Sequence, residues 1–156
     1  MKLAEFFPVS HIVPELEAAE KTAAVRELVK QLIASGAVPK GQATAVERAV
    51  MRREELGSTG IGKGVAIPHA THAGVRGVVG AFGRSKKGVD FDALDGQPVY
   101  LVFLLLSSPE SVEPHLEALR AVTLLVKDED ICSFLRRAKD LTELTELLRE
   151  AEDRLR

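Results

Sequence analysis

Val99-Tyr100-Leu101-Val102-Phe103-Leu104-Leu105-Leu106 is apolar at almost every position. A strand with one solvated face alternates apolar and polar residues. A run without alternation belongs to a strand covered on both faces. Asp95-Gly96-Gln97-Pro98 leads into it and Ser107-Ser108-Pro109 breaks it, and Gly and Pro are the strongest punctuators of local structure. Helical patterns lie on both sides of this run in the chain. The fold class that follows is α/β, a small mixed β-sheet covered by helices on both faces.

Working outward, a helix is predicted from about Ala19. Val25, Leu28, Val29, Leu32 and Ile33 share one face by the i, i+3, i+4 rule, and Gly36 is its stop. A second helix spans about Gln42 to Leu56, with Val46, Ala49 and Val50 inside and Gly57 at its end. Ile12-Val13, ahead of Pro14, fits a short edge strand, and residues 1–18 otherwise show no pattern. Another strand is expected around Val78 to Phe82, with Lys86-Lys87-Gly88 as a turn. After the central run, a helix is expected from Val112 or Glu113 to Val126, with Leu116, Leu119, Val122, Thr123 and Val126 inward. The next starts near Asp128, with Ile131, Phe134, Leu135 and Ala138 inside. The last starts near Thr142 and carries Leu144, Leu147, Leu148 and Leu155.

A chain of 156 residues is read as one domain, 1–156, large enough for a substantial core. The net charge of -2 supplies no general attraction to nucleic acid or anionic membrane. The absence of Trp, with a single Tyr, argues against a stacking platform for single strands. Cys132 has no partner for a disulfide and lies in the apolar pattern Ile131, Cys132, Phe134, Leu135, so a buried thiol is expected. The longest apolar run is too short to span a bilayer, and the N-terminus has no cleavable-leader pattern. The expected location is cytoplasmic, with no direct membrane insertion.

Gly60-Ile61-Gly62-Lys63-Gly64-Val65-Ala66-Ile67-Pro68-His69-Ala70 carries the chemistry. Val65-Ala66-Ile67 reads as a buried strand that Pro68 cannot continue, having no N–H to donate. His69 is thereby presented at the end of a rigid element. The glycine loop is expected to leave backbone N–H groups uncovered for an anion. A nucleotide P-loop is disfavoured. Gly57 to Lys63 has its spacing, but Gly64 stands where Ser or Thr would hold magnesium, and the loop follows a helix and precedes a strand. Without Pro68-His69, the plain alternative is a glycine connector that only turns the chain.

Four histidines occur, His11, His69, His72 and His115. His69 and His72 form a His-x-x-His pair that, with His115, makes a three-histidine zinc site an alternative. His115 falls in the first turn of its helix, where a capping or surface role competes with binding an anion. Arg53 sits in the last turn of the second helix, where a cation is favourable in any case.

Arg53 to Gly62, followed by Val65-Ala66-Ile67-Pro68-His69-Ala70, resembles the phosphorylation-site signature of the type-2 enzyme IIA domains. These belong to the phosphoenolpyruvate:sugar phosphotransferase system, in its fructose/mannitol and nitrogen-regulatory branches. Val89 to Val99 resembles that family's strand-leading segment, and Pro114-His115-Leu116-Glu117-Ala118-Leu119 its helix with a second active-site histidine.

The resemblance implies the mannitol/fructose/nitrogen-type IIA fold and a phosphocarrier that needs no cofactor. His69 is implied to take a phosphoryl group on a ring nitrogen from phospho-HPr or its nitrogen-type counterpart. His115 is implied to stabilise that group, Arg53 to offer positive charge to it or to the partner surface, and Ser58, Thr59 and Gly60 to line the pocket. His72 lies outside the motif and inherits no role. Enzyme IIB or a regulated target protein is the implied onward partner. The chain is read as a free-standing IIA, nearer the nitrogen/fructose side. The regulatory type is the first choice, and a separate subunit of a fructose-type transporter the second. A non-catalytic binding module is the rival of another class.

Imidazole suits this chemistry. With an ordinary pKa of about 6.5, much of it is neutral and nucleophilic near pH 7. Transfer of a metaphosphate-like group depends on positioning and donors more than on acid–base work.

Overall fold

A computed structural model describes residues 3–154. Its centre is one six-stranded sheet. The strands are β1 (Ile12–Val13), β2 (Gly60–Gly62), β3 (Val65–Ala66), β4 (His69–Thr71), β5 (Val78–Val89) and β6 (Val99–Ser107). The order is β1-β5-β6-β3-β2, with β4 also paired to β6. The sheet is mixed: β6 is antiparallel to β5 and parallel to β3 and β4. The helices are α1 (Leu3–Phe6), α2 (Lys21–Ala34), α3 (Ala43–Glu55), α4 (Val112–Val126), α5 (Glu129–Arg137) and α6 (Leu141–Arg154).

Strand β6 explains its own composition. Leu101, Phe103 and Leu105 point into a core shared with α1, α4, α5 and α6. Val102, Leu104 and Leu106 point into a second core against α2 and α3. Successive side chains alternate between faces, and both faces are covered, so Leu101 to Leu106 are all apolar. Each such side chain, fully buried, contributes about 1.5–3 kcal/mol.

Several boundaries match expectation. Gly36 ends α2 at φ 82°, Ile12–Val13 is an edge strand on β5, and Cys132 is buried. Other expectations are corrected. Lys86-Lys87-Gly88 is not a turn. It lies within β5, where the pairing with β6 shifts register between Arg84 and Val89 and Gly88 takes φ 96°. A bulge of this kind looks like a turn in sequence, because both call for glycine. On α4 the inward residues are Ala118, Val122, Leu125 and Val126, while Leu116 and Thr123 are exposed. Phe134 is also exposed, beneath the Arg137 guanidinium. Leu155 lies outside the described residues.

The glycine loop is a β-hairpin. Gly62 pairs with Val65 across Lys63 and Gly64, which take φ 57° and 79°. Positive φ at both central residues is the tight turn that matches strand twist. Two of its backbone N–H groups are already taken: Gly60 donates to Ser58 Oγ at 3.0 Å and Lys63 to Asp95 Oδ2 at 3.1 Å.

Two buried charges brace the frame. Arg84, 1% exposed, donates through Nη1 to the carbonyls of Leu135 (3.0 Å) and Ala138 (2.8 Å) and through Nε to Pro14 (3.0 Å). It caps the C-terminus of α5, where a cation is favourable. On the other face Glu54 accepts from Thr59 N–H (3.1 Å) and Thr59 Oγ1, and pairs with Lys21 Nζ at 3.2 Å. The Glu54 and Lys21 side chains are 1% and 12% exposed, so the carboxylate depends on these partners.

Lys21→Met should lower the unfolding free energy by about 3 kcal/mol, the penalty of leaving one member of a buried pair uncompensated. Lys21→Arg should lose much less, and denaturant titration reads both. A loss under about 0.5 kcal/mol for Lys21→Met, the level of an exposed pair, would show that solvent already screens Glu54. Burial first, then Asp128 and Glu129, pushes the Cys132 thiol up to about 11. At pH 8 iodoacetamide should therefore alkylate it at least tenfold more slowly in the folded than in the unfolded chain, as read by mass spectrometry.

Candidate functional site

The geometry of the site begins with a strand that breaks and resumes. Val65 is opposite Leu101, and His69 opposite Leu105, so β3 and β4 run along β6 in the same register. Between them Pro68 gives its carbonyl to Leu105 N–H at 3.0 Å but has no N–H of its own. Ile67 gives its N–H to the Thr59 carbonyl at 3.1 Å. Its carbonyl is taken by His69 Nδ1 at 2.8 Å. A carbonyl can only accept, so Nδ1 carries the proton. His69 is therefore held as the Nδ1–H tautomer, with its lone pair on Nε2. Beyond the proline, His69–Thr71 forms the short strand β4.

The central strand ends at Ser107, and α4 begins at Val112. This quick return brings the first turn of α4 back over the strand end. Pro114 is tolerated there because a first-turn N–H has no intrahelical partner. His115, half-buried, reaches Ser107 through Nδ1. Its ring centroid lies 5.8 Å from that of His69, at 54° between planes. Burial first, and His69 second, hold the His115 pKa below the ordinary imidazole value.

A cleft of about 360 Å³ joins these rings to the end of α3. It is lined by Ala49, Arg52, Arg53, Leu56, His69, Ala70, Thr71 and His115. Arg53 donates from Nη1 to the Gly57 carbonyl at 3.0 Å, closing the C-terminus of α3 while facing the cleft. Leu56 is 84% exposed, and Val112 and Leu116, flanking His115 on α4, are exposed as well. His69 thus lines an open depression that carries two arginines and is edged by exposed apolar side chains.

The expected site residues divide into two groups. His69, His115 and Arg53 are brought together. Ser58, Thr59 and Gly60 are not among the residues lining the cleft. Ser58 Oγ donates to the Phe91 carbonyl at 2.9 Å and accepts from Gly60. Thr59 is spent on Glu54 and Ile67. They sit behind the site and hold the strand that carries His69. The uncovered N–H nest expected of the glycine hairpin is likewise not at His69.

Sequence reasoning missed Arg52, Ser107 and Glu54. Arg52 had a signal, standing next to Arg53. Ser107 had none, since it read only as the residue after an apolar run.

His72 Nδ1 accepts from Gly74 N–H at 2.9 Å within its own turn, and His11 Nδ1 donates to the Gly80 carbonyl. Among the described residues, no group of three His, Cys, Asp or Glu side chains is placed to share a metal ion, and no helix is long and apolar enough to cross a membrane. A larger cleft of about 770 Å³ lies beside the β2–β3 hairpin between Tyr100, Cys132 and Arg136, but no histidine lines it. The paired imidazoles lie in the smaller cleft.

Residues 5–151 match the family described as phosphoenolpyruvate-dependent sugar phosphotransferase system, EIIA 2. The chain is 43% identical over 130 residues to the PTS system fructose-specific EIIABC component of Bacillus subtilis, spanning 83% of this chain and 20% of that longer protein. It is 38% identical over 141 residues to a nitrogen regulatory protein of Bradyrhizobium diazoefficiens, covering 90% of each. Among solved structures, nitrogen regulatory protein IIA-Ntr from Neisseria meningitidis superposes with a TM-score of 0.83 at 36% identity, over 94% of this chain and 98% of that one. Matched along almost its whole length, the chain belongs to the type-2 EIIA family of the phosphoenolpyruvate-dependent sugar phosphotransferase system.

Proposed function

We propose that the chain is a phosphohistidine carrier, with His69 Nε2 as the atom that receives the phosphoryl group. The observation that carries this reading is the bond from His69 Nδ1 to the Ile67 carbonyl. It leaves a fixed lone pair on Nε2, in a cleft shared with His115, Arg52 and Arg53.

The step balances without a metal or nucleotide. The donor is a phosphohistidine, on HPr or nitrogen-type HPr, protonated on its distal ring nitrogen. As the Nε2–P bond forms on His69, the N–P bond of the donor breaks and the donor leaves as neutral imidazole. The proton on His69 Nδ1 stays where it is. The phosphorylated ring becomes imidazolium-like, and the Ile67 carbonyl dipole opposes that positive charge. Arg52, Arg53 and His115 supply charge and hydrogen bonds to the three oxygens, which is where such transfers gain most. The exposed Leu56, Val112 and Leu116 suit the docking of a protein donor.

The nitrogen-regulatory role is the first choice, supported by relatives of that name matched along nearly their whole length. In that role a target protein reads the phosphorylation state. The second reading, supported by the fructose-specific relative, passes the group to an enzyme IIB.

With phosphoenolpyruvate, enzyme I and HPr, the protein should gain one phosphoryl group, labile in acid and stable in base. His69→Ala should gain none. His115→Ala should transfer about 10²-fold more slowly, the typical loss of one preorganised donor. Wild-type labelling of His69→Ala would overturn the assignment. Transfer onward to a fructose-type IIB domain would favour the second reading over the first.

Acidification has a defined sign. The lowered pKa of His115 means that the unfolded chain binds a proton more readily than the folded one. The associated stability is present above about pH 6.5 and is lost as the pH falls through the depressed folded value. Between pH 8 and 5 the Tm of the wild type should therefore fall more steeply than that of His115→Asn. Parallel curves would show that His115 does not resist protonation.

A further inference from the structure

His69 and His115 differ in one respect that fixes their roles. The Nδ1 of His69 faces a carbonyl, which settles its tautomer. The Nδ1 of His115 faces Ser107 Oγ, and a hydroxyl both donates and accepts. Two arrangements are open. In one, Ser107 donates to Nδ1 and the proton of the neutral His115 ring lies on Nε2. In the other, His115 donates from Nδ1, and Nε2 presents a lone pair.

Burial decides between them. Ser107 is 0% exposed. Among the described residues, its Oγ has no polar partner besides His115. Were His115 the donor, the Ser107 hydroxyl proton would be buried with nothing to receive it, the more costly kind of orphan. With Ser107 as donor, that proton is satisfied, and the Nε2–H of His115 has an open cleft, solvent or a ligand before it. A cationic ring with protons on both nitrogens is disfavoured by burial and by the neighbouring His69.

We infer that Ser107 is a positioning residue that holds His115 as the Nε2–H tautomer, so that position 115 presents a neutral hydrogen-bond donor to a phosphoryl group on His69. The consequence rests on the phosphocarrier reading. Phosphoryl oxygens only accept hydrogen bonds, so an Nε2 lone pair at 115 would repel them. The two imidazoles thus hold opposite tautomers. His69 keeps its proton on Nδ1 and offers electrons at Nε2, while His115 gives up Nδ1 and offers a proton at Nε2. Ser107 lies opposite Thr71 in the parallel β4–β6 pair, so one strand end sets the height of both rings.

Nitrogen-15 NMR of the histidine rings, on the whole unphosphorylated protein at pH 8, reads this directly. In the wild type His115 should show a protonated Nε2 and a pyridine-like Nδ1, and His69 the reverse. Ser107→Ala should move the His115 shifts toward the average of a mixed population and leave His69 unchanged. Ser107→Thr, which keeps the hydroxyl, should restore the wild-type pattern. Phosphoryl uptake by Ser107→Ala should slow about tenfold, less than on deleting the ring. A proton on Nδ1 of His115 in the wild type would overturn the inference, even if no variant folds. Ring shifts in Ser107→Ala identical to wild type would do the same. Because the tautomer is read before any transfer, failure of the transfer assay counts against the proposed function and not against this assignment.

Discussion

The peptide between Ile67 and Pro68 is the constraint from which the site follows. A strand pairing along β6 would ordinarily spend each backbone group on a neighbour. Proline removes one donor from the ladder, and the end of pairing with Thr59 leaves the Ile67 carbonyl free. The register across the break does not change, so His69 stays a strand residue at a set height on the sheet. The free carbonyl and the set height together give one imidazole one tautomer. A histidine in a loop would have to freeze its own backbone and ring to reach the same state, at a cost of about 1–2 kcal/mol for each residue ordered.

The frame behind this peptide is a chain of hydrogen bonds running out of α3. Lys21 neutralises Glu54, Glu54 holds both the N–H and the hydroxyl of Thr59, and Thr59 receives the N–H of Ile67. Arg53 is the residue before Glu54 and faces the cleft from the same turn of helix. The helix end that carries Arg53 is thus fastened to the strand that leads to His69. Stability and geometry share residues here. A loss at Glu54 reaches the site without any side chain in the cleft being changed.

The fold was legible because its strongest signals are matters of burial. Leu101 to Leu106 must be two-sided, and the spacing of Val25, Leu28, Val29 and Leu32 admits one helix face. Hidden features were those where a tertiary partner overrides local preference. Arg84 stands in no sequence pattern, yet the carbonyls at the end of α5 take it inside. Gly88 reads as a turn and is a bulge. Leu116 and Phe134 fit apolar stripes and are exposed, since helical periodicity ranks faces without saying how far the neighbouring helix reaches. At the site, the signature named His69, His115 and Arg53, and the structure brings these three to one cleft. Ser58, Thr59 and Gly60 share that signature, which shows that a sequence motif combines residues facing the chemistry with residues that hold those in place.

All four histidines use Nδ1 for an internal hydrogen bond, so a fixed tautomer by itself does not mark the nucleophile. His11 has the same arrangement as His69, an Nδ1 donated to a backbone carbonyl, yet it does not line the cleft that holds the arginines and the second imidazole. His72 spends its ring on its own turn. What sets His69 apart is the conjunction of a fixed lone pair, a ring 5.8 Å away and two guanidinium groups on one open face. A carrier must also release what it accepts. On the proposed function, an open cleft with donors drawn from separate elements would hold a phosphoryl group by several modest interactions and leave the N–P bond within reach of the next protein.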